Sequence, residues 1–153
     1  MTTAPCIACN LTAGAEDLPG GRIHETTGWV VEHCIGPLGV GTLIVKPKRH
    51  VVHVADLTEA ETAEMGPLLQ RTARAVTNLI EPVQVYVCLW SQAGARPVHI
   101  HWVVQPVTRA LMDELGRLGP ALQDAMFQRG EQSDRGEMEA FAARARQFLA
   151  VPV

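Results

Sequence analysis

Apolar positions along the chain follow two periods, and the switches between them mark its elements. After the turn signal Leu18-Pro19-Gly20-Gly21, Arg22 to His24 and Gly28 to Cys34 read as a pair of short strands. The glycine- and proline-rich stretch from Ile35 to Gly41 is a loop. Thr42-Leu43-Ile44-Val45 is a compact buried strand, stopped by Lys46-Pro47. The period then changes. Met65, Leu68, Leu69, Thr72, Ala73, Val76, Leu79 and Ile80 recur at helical spacing. Asp56 or Thr58 can cap this helix, and Thr58 with Glu61 has capping-box spacing. It runs to about Glu81, before Pro82. Such a stripe is a core face rather than a cofactor site. Val83 to Leu89 is a further strand, and Ser91 to Pro97 a loop containing Gly94.

The segment from Arg96 to Pro106 reads as one more strand. Its alternation puts Val98, Ile100, Trp102 and Val104 on a core face and His99, His101, Val103 and Gln105 on the other. Two imidazoles on a strand with a buried back are held rigidly, as a site for metal, phosphate or covalent chemistry requires. The plain alternative is a sheet surface that carries two histidines. From about Thr108 the chain is helical. Leu111, Met112, Leu115 and Leu118 form an amphipathic stretch, and Ala121 to Phe127 follow a break at Gly119-Pro120. A last helix from Glu137 to Leu149 turns Met138, Phe141, Ala142, Ala145, Phe148 and Leu149 inward. Strand pairs around one long helix, with trailing helices, predict an α+β domain on an antiparallel sheet.

The 153 residues suffice for one domain with a real core. A formal net charge of −3 supplies no basic field for a nucleic-acid polymer or an anionic membrane. No apolar run reaches the length of a membrane span. The start, Met1-Thr2-Thr3-Ala4-Pro5-Cys6, has neither the basic flank nor the apolar stretch of a signal peptide, so a cytoplasmic location is expected.

In that compartment the four cysteines are not expected to form a stapling disulfide. Cys34 and Cys88 sit in apolar stretches, as inert thiols do. Cys6-Ile7-Ala8-Cys9, on an extended or loop segment, has the spacing of half a zinc site. Two further ligands must come from His24, His33, His50, His53, His99 and His101. Cys6, Cys9, His50 and His99 would give a closed two-cysteine, two-histidine shell that ties the N-terminal segment to the sheet. A redox dithiol, or two unrelated thiols, are the competing readings. His24, His33 and His53 read as solvated or locally hydrogen-bonded.

These features, in order, resemble the histidine-triad (HIT) superfamily of nucleotide hydrolases and nucleotidyl transferases. The resemblance spans Cys6 to about Pro106. It rests on Cys6-x-x-Cys9, on Gly41-Thr42-Leu43-Ile44-Val45-x-Pro47-x-x-His50, on the long helix, and on Ala93-Gly94 leading into His99-Ile100-His101-Trp102. It implies a sheet of about five antiparallel strands with a long central helix. It divides the chain into a HIT-like domain over 1–107 and a helical extension over 108–153 packed on the same domain. It places structural zinc on Cys6, Cys9, His50 and His99, and a phosphorus-attacking nucleophile on His101. It also implies a small phosphate-containing substrate and a homodimer.

The chain departs from the family pattern at several positions. Val103 stands where a third histidine belongs, and offers no proton. Cys34 stands where the family carries an acidic residue or asparagine for the ribose hydroxyls. Thr42 replaces a histidine, and Ala95 and Arg96 replace residues of the phosphate loop. The resemblance implies a substrate phosphate on the Ser91–Gly94 loop, with Arg96 as a candidate clamp and Ser91 and Gln92 as weaker contacts. Three functions follow. One is a HIT-like hydrolase or nucleotidyl transferase with a covalent His101 intermediate, acting on a nucleoside phosphate anhydride, ester or phosphoramidate. The second is a non-nucleotide enzyme using His101 as acid, base or metal ligand. The third is a zinc-stabilised binding protein with a degenerate site.

Overall fold

The computed structural model describes residues 6–91 and 98–152. Five strands, β1 (Arg22–Glu25), β2 (Trp29–His33), β3 (Leu43–Pro47), β4 (Gln84–Trp90) and β5 (His101–Val107), form one sheet in the order β1-β2-β3-β5-β4. Every neighbouring pair is antiparallel. Since β5 lies between them, β3 and β4 run parallel and need a crossover. Helix α2 (Glu59–Ile80) makes it.

Alternation assigns the faces. Trp29, Val31, Leu43, Val45, Trp102 and Val104 point to one side and are buried there with Leu68, Ala75 and Val76 of α2. Trp29 and Trp102 meet edge to face at 5.4 Å, and the Trp29 indole donates to the Glu61 carbonyl at 2.9 Å. Each such side chain contributes roughly 1.5–3 kcal/mol by leaving water. The capping box forms as the spacing predicts. The Thr58 hydroxyl accepts from the Glu61 amide, and the Glu61 carboxylate accepts from the Thr58 amide.

Three helices follow the sheet: α3 (Arg109–Leu115), α4 (Pro120–Arg129) and α5 (Arg135–Ala150). Helix α5 joins the α2 side and adds Phe141, Ala142, Ala145 and Leu149 to the same core. Helix α4 lies on the other side, where Gln123 donates to the Gln105 side chain at 2.9 Å and Met126 packs beside Leu38 and Val103. Among the described residues no helix is long and apolar enough to cross a membrane.

Three sequence expectations are corrected. The segment after Cys6 is a helix, α1 (Ile7–Ala13), rather than an extended or loop segment. Asparagine, threonine and cysteine are weak helix formers, so propensity gave little sign of it. Packing holds it, with the Lys46 ammonium donating to the Ala8 carbonyl at 2.9 Å. The histidine strand begins at His101, not before His99, because the last β4 partner, Trp90, pairs with His101. Before it, the Ile100 amide bonds instead to the Val51 carbonyl at 2.9 Å. Finally, α3 buries none of its residues, and Leu118 stays exposed.

Candidate functional site

Four residues from three places converge at one end of the sheet. Cys6 precedes α1 and Cys9 lies in its first turn. His50 follows β3, and His99 precedes β5. Their ligand atoms all lie within 4.8 Å of one another. Cys6 Sγ is 3.7 Å from His99 Nδ1, and Cys9 Sγ is 3.4 Å from His50 Nδ1 and 3.5 Å from His99 Nδ1. A tetrahedral ion with metal–sulfur bonds of ~2.3 Å and metal–nitrogen bonds of ~2.0–2.1 Å has sulfur–nitrogen edges of about 3.6 Å. The quartet therefore has the dimensions of a closed four-coordinate site.

The orientation of His99 supports this. Its Nε2–H donates to the Pro47 carbonyl at 2.8 Å, which leaves the Nδ1 lone pair facing the thiols. Burial, above all, pushes its pKa down to about 4, keeping the ring neutral as a ligand must be. Burial, and then the neighbouring Cys6 thiol, raises Cys9 to about 11. A cation between them would deprotonate both thiols. The four side chains could thus hold a metal, which would tie α1 to the sheet.

Next to it, His101 lines a cavity of about 190 Å³ on the sheet face opposite the core. The strand registers lay out its floor. Val103 pairs with Cys88 on one side and Ile44 on the other, and Ile44 pairs with Glu32. One step along, Lys46 lies opposite Val30, and His101 opposite Trp90. Helix α1 forms one wall through Ile7, Ala8 and Leu11. Phe127 of α4 and Trp90, with ring centroids 4.8 Å apart, form another. His101 is only partly buried. Its Nδ1 lies 3.0 Å from the His99 carbonyl oxygen, which can only accept, so the proton sits on Nδ1. Nε2 is then the ring nitrogen left for chemistry, as a nucleophile or a base when the ring is neutral.

The floor also carries charge. Lys46 donates to Glu32 at 2.5 Å, and both side chains are 5% exposed or less. Burial raises the Glu32 pKa against the pull of Lys46. His33, on the opposite side of β2, is buried and pinned as a neutral ring. Its Nδ1–H donates to the Cys34 carbonyl at 2.8 Å, and its Nε2 accepts from the Gly41 amide at 2.9 Å. Burial lowers its pKa. It closes the 34–41 loop over one end of the cavity. Gly41 has φ +90, and a Cβ there would lie 3.1 Å from Ile80.

The sequence-derived residues divide clearly. The structure brings together Cys6, Cys9, His50 and His99, with His101 beside them on the cavity floor. Cys34 lines the cavity as a buried thiol, raised to about 11 by burial. Ser91 lies outside the cavity, exposed, with its hydroxyl 3.5 Å from the Val52 carbonyl. Gln92, Gly94 and Arg96 fall outside the described residues. His24 and His53 take no part in the metal quartet. Val103 is 1% exposed and packs with Cys34 and Leu38, with Cys88 and Trp90 beside them, and valine itself has no proton to give. Sequence reading missed Glu32 and Lys46. Their one signal was a lysine and a glutamate at positions that alternate with core residues on two strands.

No protein-family profile matches the chain. Two proteins of Mycobacterium tuberculosis, from strains CDC 1551 / Oshkosh and H37Rv, each an uncharacterized HIT-like protein, are 33% identical to it over 104 residues, 67% of this chain and 71% of theirs. The protein hit of Bacillus subtilis is 25% identical over 103 residues, 66% of this chain and 70% of its own. A zinc-bound histidine triad family protein from Mycobacterium smegmatis shares the fold at TM-score 0.66 and 23% identity, over 95% of this chain and 93% of that one. A Hit-like protein from Bartonella henselae does so at TM-score 0.67 and 17% identity, over 93% and 95% of the two chains.

Proposed function

The chain belongs to the histidine-triad superfamily, and from that premise we propose that it is a hydrolase or nucleotidyl transferase working through a covalent His101 intermediate. One observation carries the reading: a partly exposed imidazole at the cavity floor whose Nδ1 is engaged by the His99 carbonyl, which leaves Nε2 as the ring nitrogen free to react. Nε2 attacks the α-phosphorus of a small phosphate-containing substrate. The N–P bond forms as the bond to the leaving group breaks, and that electron pair departs with the leaving group. Water or another acceptor then attacks phosphorus, the N–P bond breaks, and its pair returns to Nε2 as the acceptor's proton passes to solvent. Splitting one displacement into two lowers each barrier.

Val103 supplies no proton to the leaving group. A phosphoric anhydride, which departs as a stable anion, suits this site better than an alkyl ester. The charge on the transferring phosphoryl group requires fixed donors. The family resemblance gives that role to the Ser91–Gly94 loop, with Arg96 as the candidate clamp and Ser91 and Gln92 as weaker contacts.

Zinc is the ion the quartet suits, since two thiolates and two imidazoles in a tetrahedron are its preferred shell. Its role is to fasten α1, and with it the wall formed by Ile7, Ala8 and Leu11, over the cavity. A closed shell leaves no open position for substrate, and His101 lies outside it. This disfavours the alternative in which His101 ligates a catalytic metal. Val83, Val87 and Leu89 stand 50%, 45% and 38% exposed on or just before the edge strand β4, which suits a second copy of the chain at that edge. Four free thiols suit the reducing cytoplasm.

The test is turnover of labelled dinucleoside polyphosphates and nucleoside phosphoramidates by the wild type and His101→Ala. The wild type should release labelled nucleoside monophosphate and the variant should fall by several orders of magnitude. Equal turnover by both proteins would reject the assignment.

A further inference from the structure

We propose that the buried Glu32–Lys46 pair is a specificity element that reads a hydrogen-bonding edge on the ring of the ligand, requiring a donor beside an acceptor. The inference rests on the nucleotide reading above and concerns the end of the ligand away from phosphorus.

The pair is out of place as a purely structural device. Two of its neighbours on this face, Val30 and Ile44, are hydrocarbon, as are Ile7 and Leu11 of the overlying helix, while Arg22 pairs with Glu32 on the outer side. Removing a carboxylate and an ammonium from water is unfavourable by several kcal/mol per ion, and apolar side chains of similar volume usually serve a core as well or better. Something other than packing therefore accounts for two charges here.

Their unused valences indicate what that is. Lys46 Nζ carries three donors and spends two, one on Glu32 Oε1 and one on the Ala8 carbonyl. Among the described residues, Glu32 uses only Oε1, and Oε2 accepts no hydrogen bond. Glu32 lines both the His101 cavity and the hollow beside residues 11–22, so its side chain borders open space. Arg22, the other cation near Glu32, is occupied by Glu25 and the Thr12 carbonyl. The floor thus presents one spare N–H and one spare carboxylate oxygen, with the apolar Ile7, Leu11 and Ile44 on the cavity side and Arg22 on the outer side.

Their placement relative to the chemistry is suitable. Both residues line the His101 cavity. Lys46 lies one step along β3 from Val45, which pairs with Trp102, so it is abreast of His101. Glu32 is one strand farther out. It also borders a larger hollow of about 650 Å³ beneath residues 11–22, which leaves room for a ring whose far atoms pass beyond the pair. A ligand phosphorus at His101 and a ring over Ile44 would bring the ring edge to Glu32 and Lys46. An exocyclic amine would donate to Oε2, and an adjacent ring nitrogen would accept from Nζ. Hydrocarbon of the same shape would leave the spare N–H and Oε2 without partners, the way in which a buried polar site rejects the wrong ligand.

The test uses the full-length protein and two ligands that differ by one amine, adenosine 5′-monophosphate and purine riboside 5′-monophosphate, measured by titration calorimetry. Neither carries a leaving group, so binding is read without turnover. The wild type should bind the purine riboside compound roughly ten- to a hundredfold more weakly. In Glu32→Leu/Lys46→Met the two affinities should converge to within about twofold, with circular dichroism unchanged. Wild-type binding of both compounds within twofold, binding of neither, or a preference that survives in the double variant would overturn the proposal. The wild-type comparison decides even if the variant does not fold. Equal binding alongside a His101 adduct would remove only this inference. A clear preference without any adduct would remove only the His101 mechanism.

Discussion

Alternate residues of the same strands build two faces of unlike character. On the α2 and α5 side, Trp29, Val31, Leu43, Val45, Trp102 and Val104 form one continuous hydrocarbon layer. On the other side Val30, Ile44 and Val103 are interrupted by Glu32, Lys46 and His101. Both faces are largely buried, yet only one excludes charge. The core face gains stability from every side chain it hides. The cavity face gives some of that gain up, holding ions and an imidazole at fixed positions. Residue by residue along β2 and β3, stability and chemistry take turns.

Substitutions can break this contrast. Trp102→Ala on the core face should lose about 3–5 kcal/mol in denaturant unfolding. Lys46→Met on the cavity face should lose a similar amount, roughly 3–5 kcal/mol, because it leaves the Glu32 carboxylate buried alone. The two differ in repair. Adding Glu32→Leu to Lys46→Met should return stability to within about 1 kcal/mol of wild type or above it. No such rescue is available for Trp102. If Lys46→Met alone were neutral, the charges would be solvated and the contrast between faces would be false.

A chelator should act next, and through the cavity face alone. Stripping the metal from a protein saturated at a hundred to a thousand times its Kd should lower stability by about 3–4 kcal/mol. Loss of α1 protection in amide exchange should accompany it, while α2 stays protected. Unchanged α1 exchange after metal loss would contradict a tethering role. Thr58→Ala, which uncaps the helix over the core face, should lose about 1 kcal/mol and leave ligand binding alone.

The smallest effect is a slope with pH. His33 is held neutral, with its pKa below the ordinary 6.5, chiefly by burial. Below that value the unfolded chain takes up a proton that the folded chain refuses, so stability falls as pH drops from about 6.5. His24 and His99 are lowered by burial in the same sense and add to the slope. His33→Gln should flatten the acid limb in part, as read by unfolding midpoints between pH 7 and 5.

Much of this layout is legible in the sequence, because alternation and capping are local. Gly28 to Cys34 and Thr42 to Val45 announce β2 and β3. Thr58 with Glu61 announces the start of α2, and the position of Pro82 its end. The metal quartet is legible because two cysteines at that spacing leave few partners to choose from. Other features depend on contacts that no local pattern encodes. The pairing of Glu32 with Lys46 requires the register of β2 on β3. Helix α1 exists by packing rather than propensity. Leu111, Met112, Leu115 and Leu118 have amphipathic spacing, yet the first three are only half-buried on α3 and Leu118, beyond its end, is exposed. Val103 shows the limit most plainly: its sequence position marks a missing proton donor, and only the structure shows what packs around it, Cys34, Leu38 and Cys88.

The most direct test of the central claim is peptide mapping by mass spectrometry after base quenching of the wild type with a dinucleoside polyphosphate. The account predicts one nucleoside monophosphate, acid-labile, on the ring of His101. An adduct on a different residue, or turnover with no adduct trapped at any quench time, would contradict it.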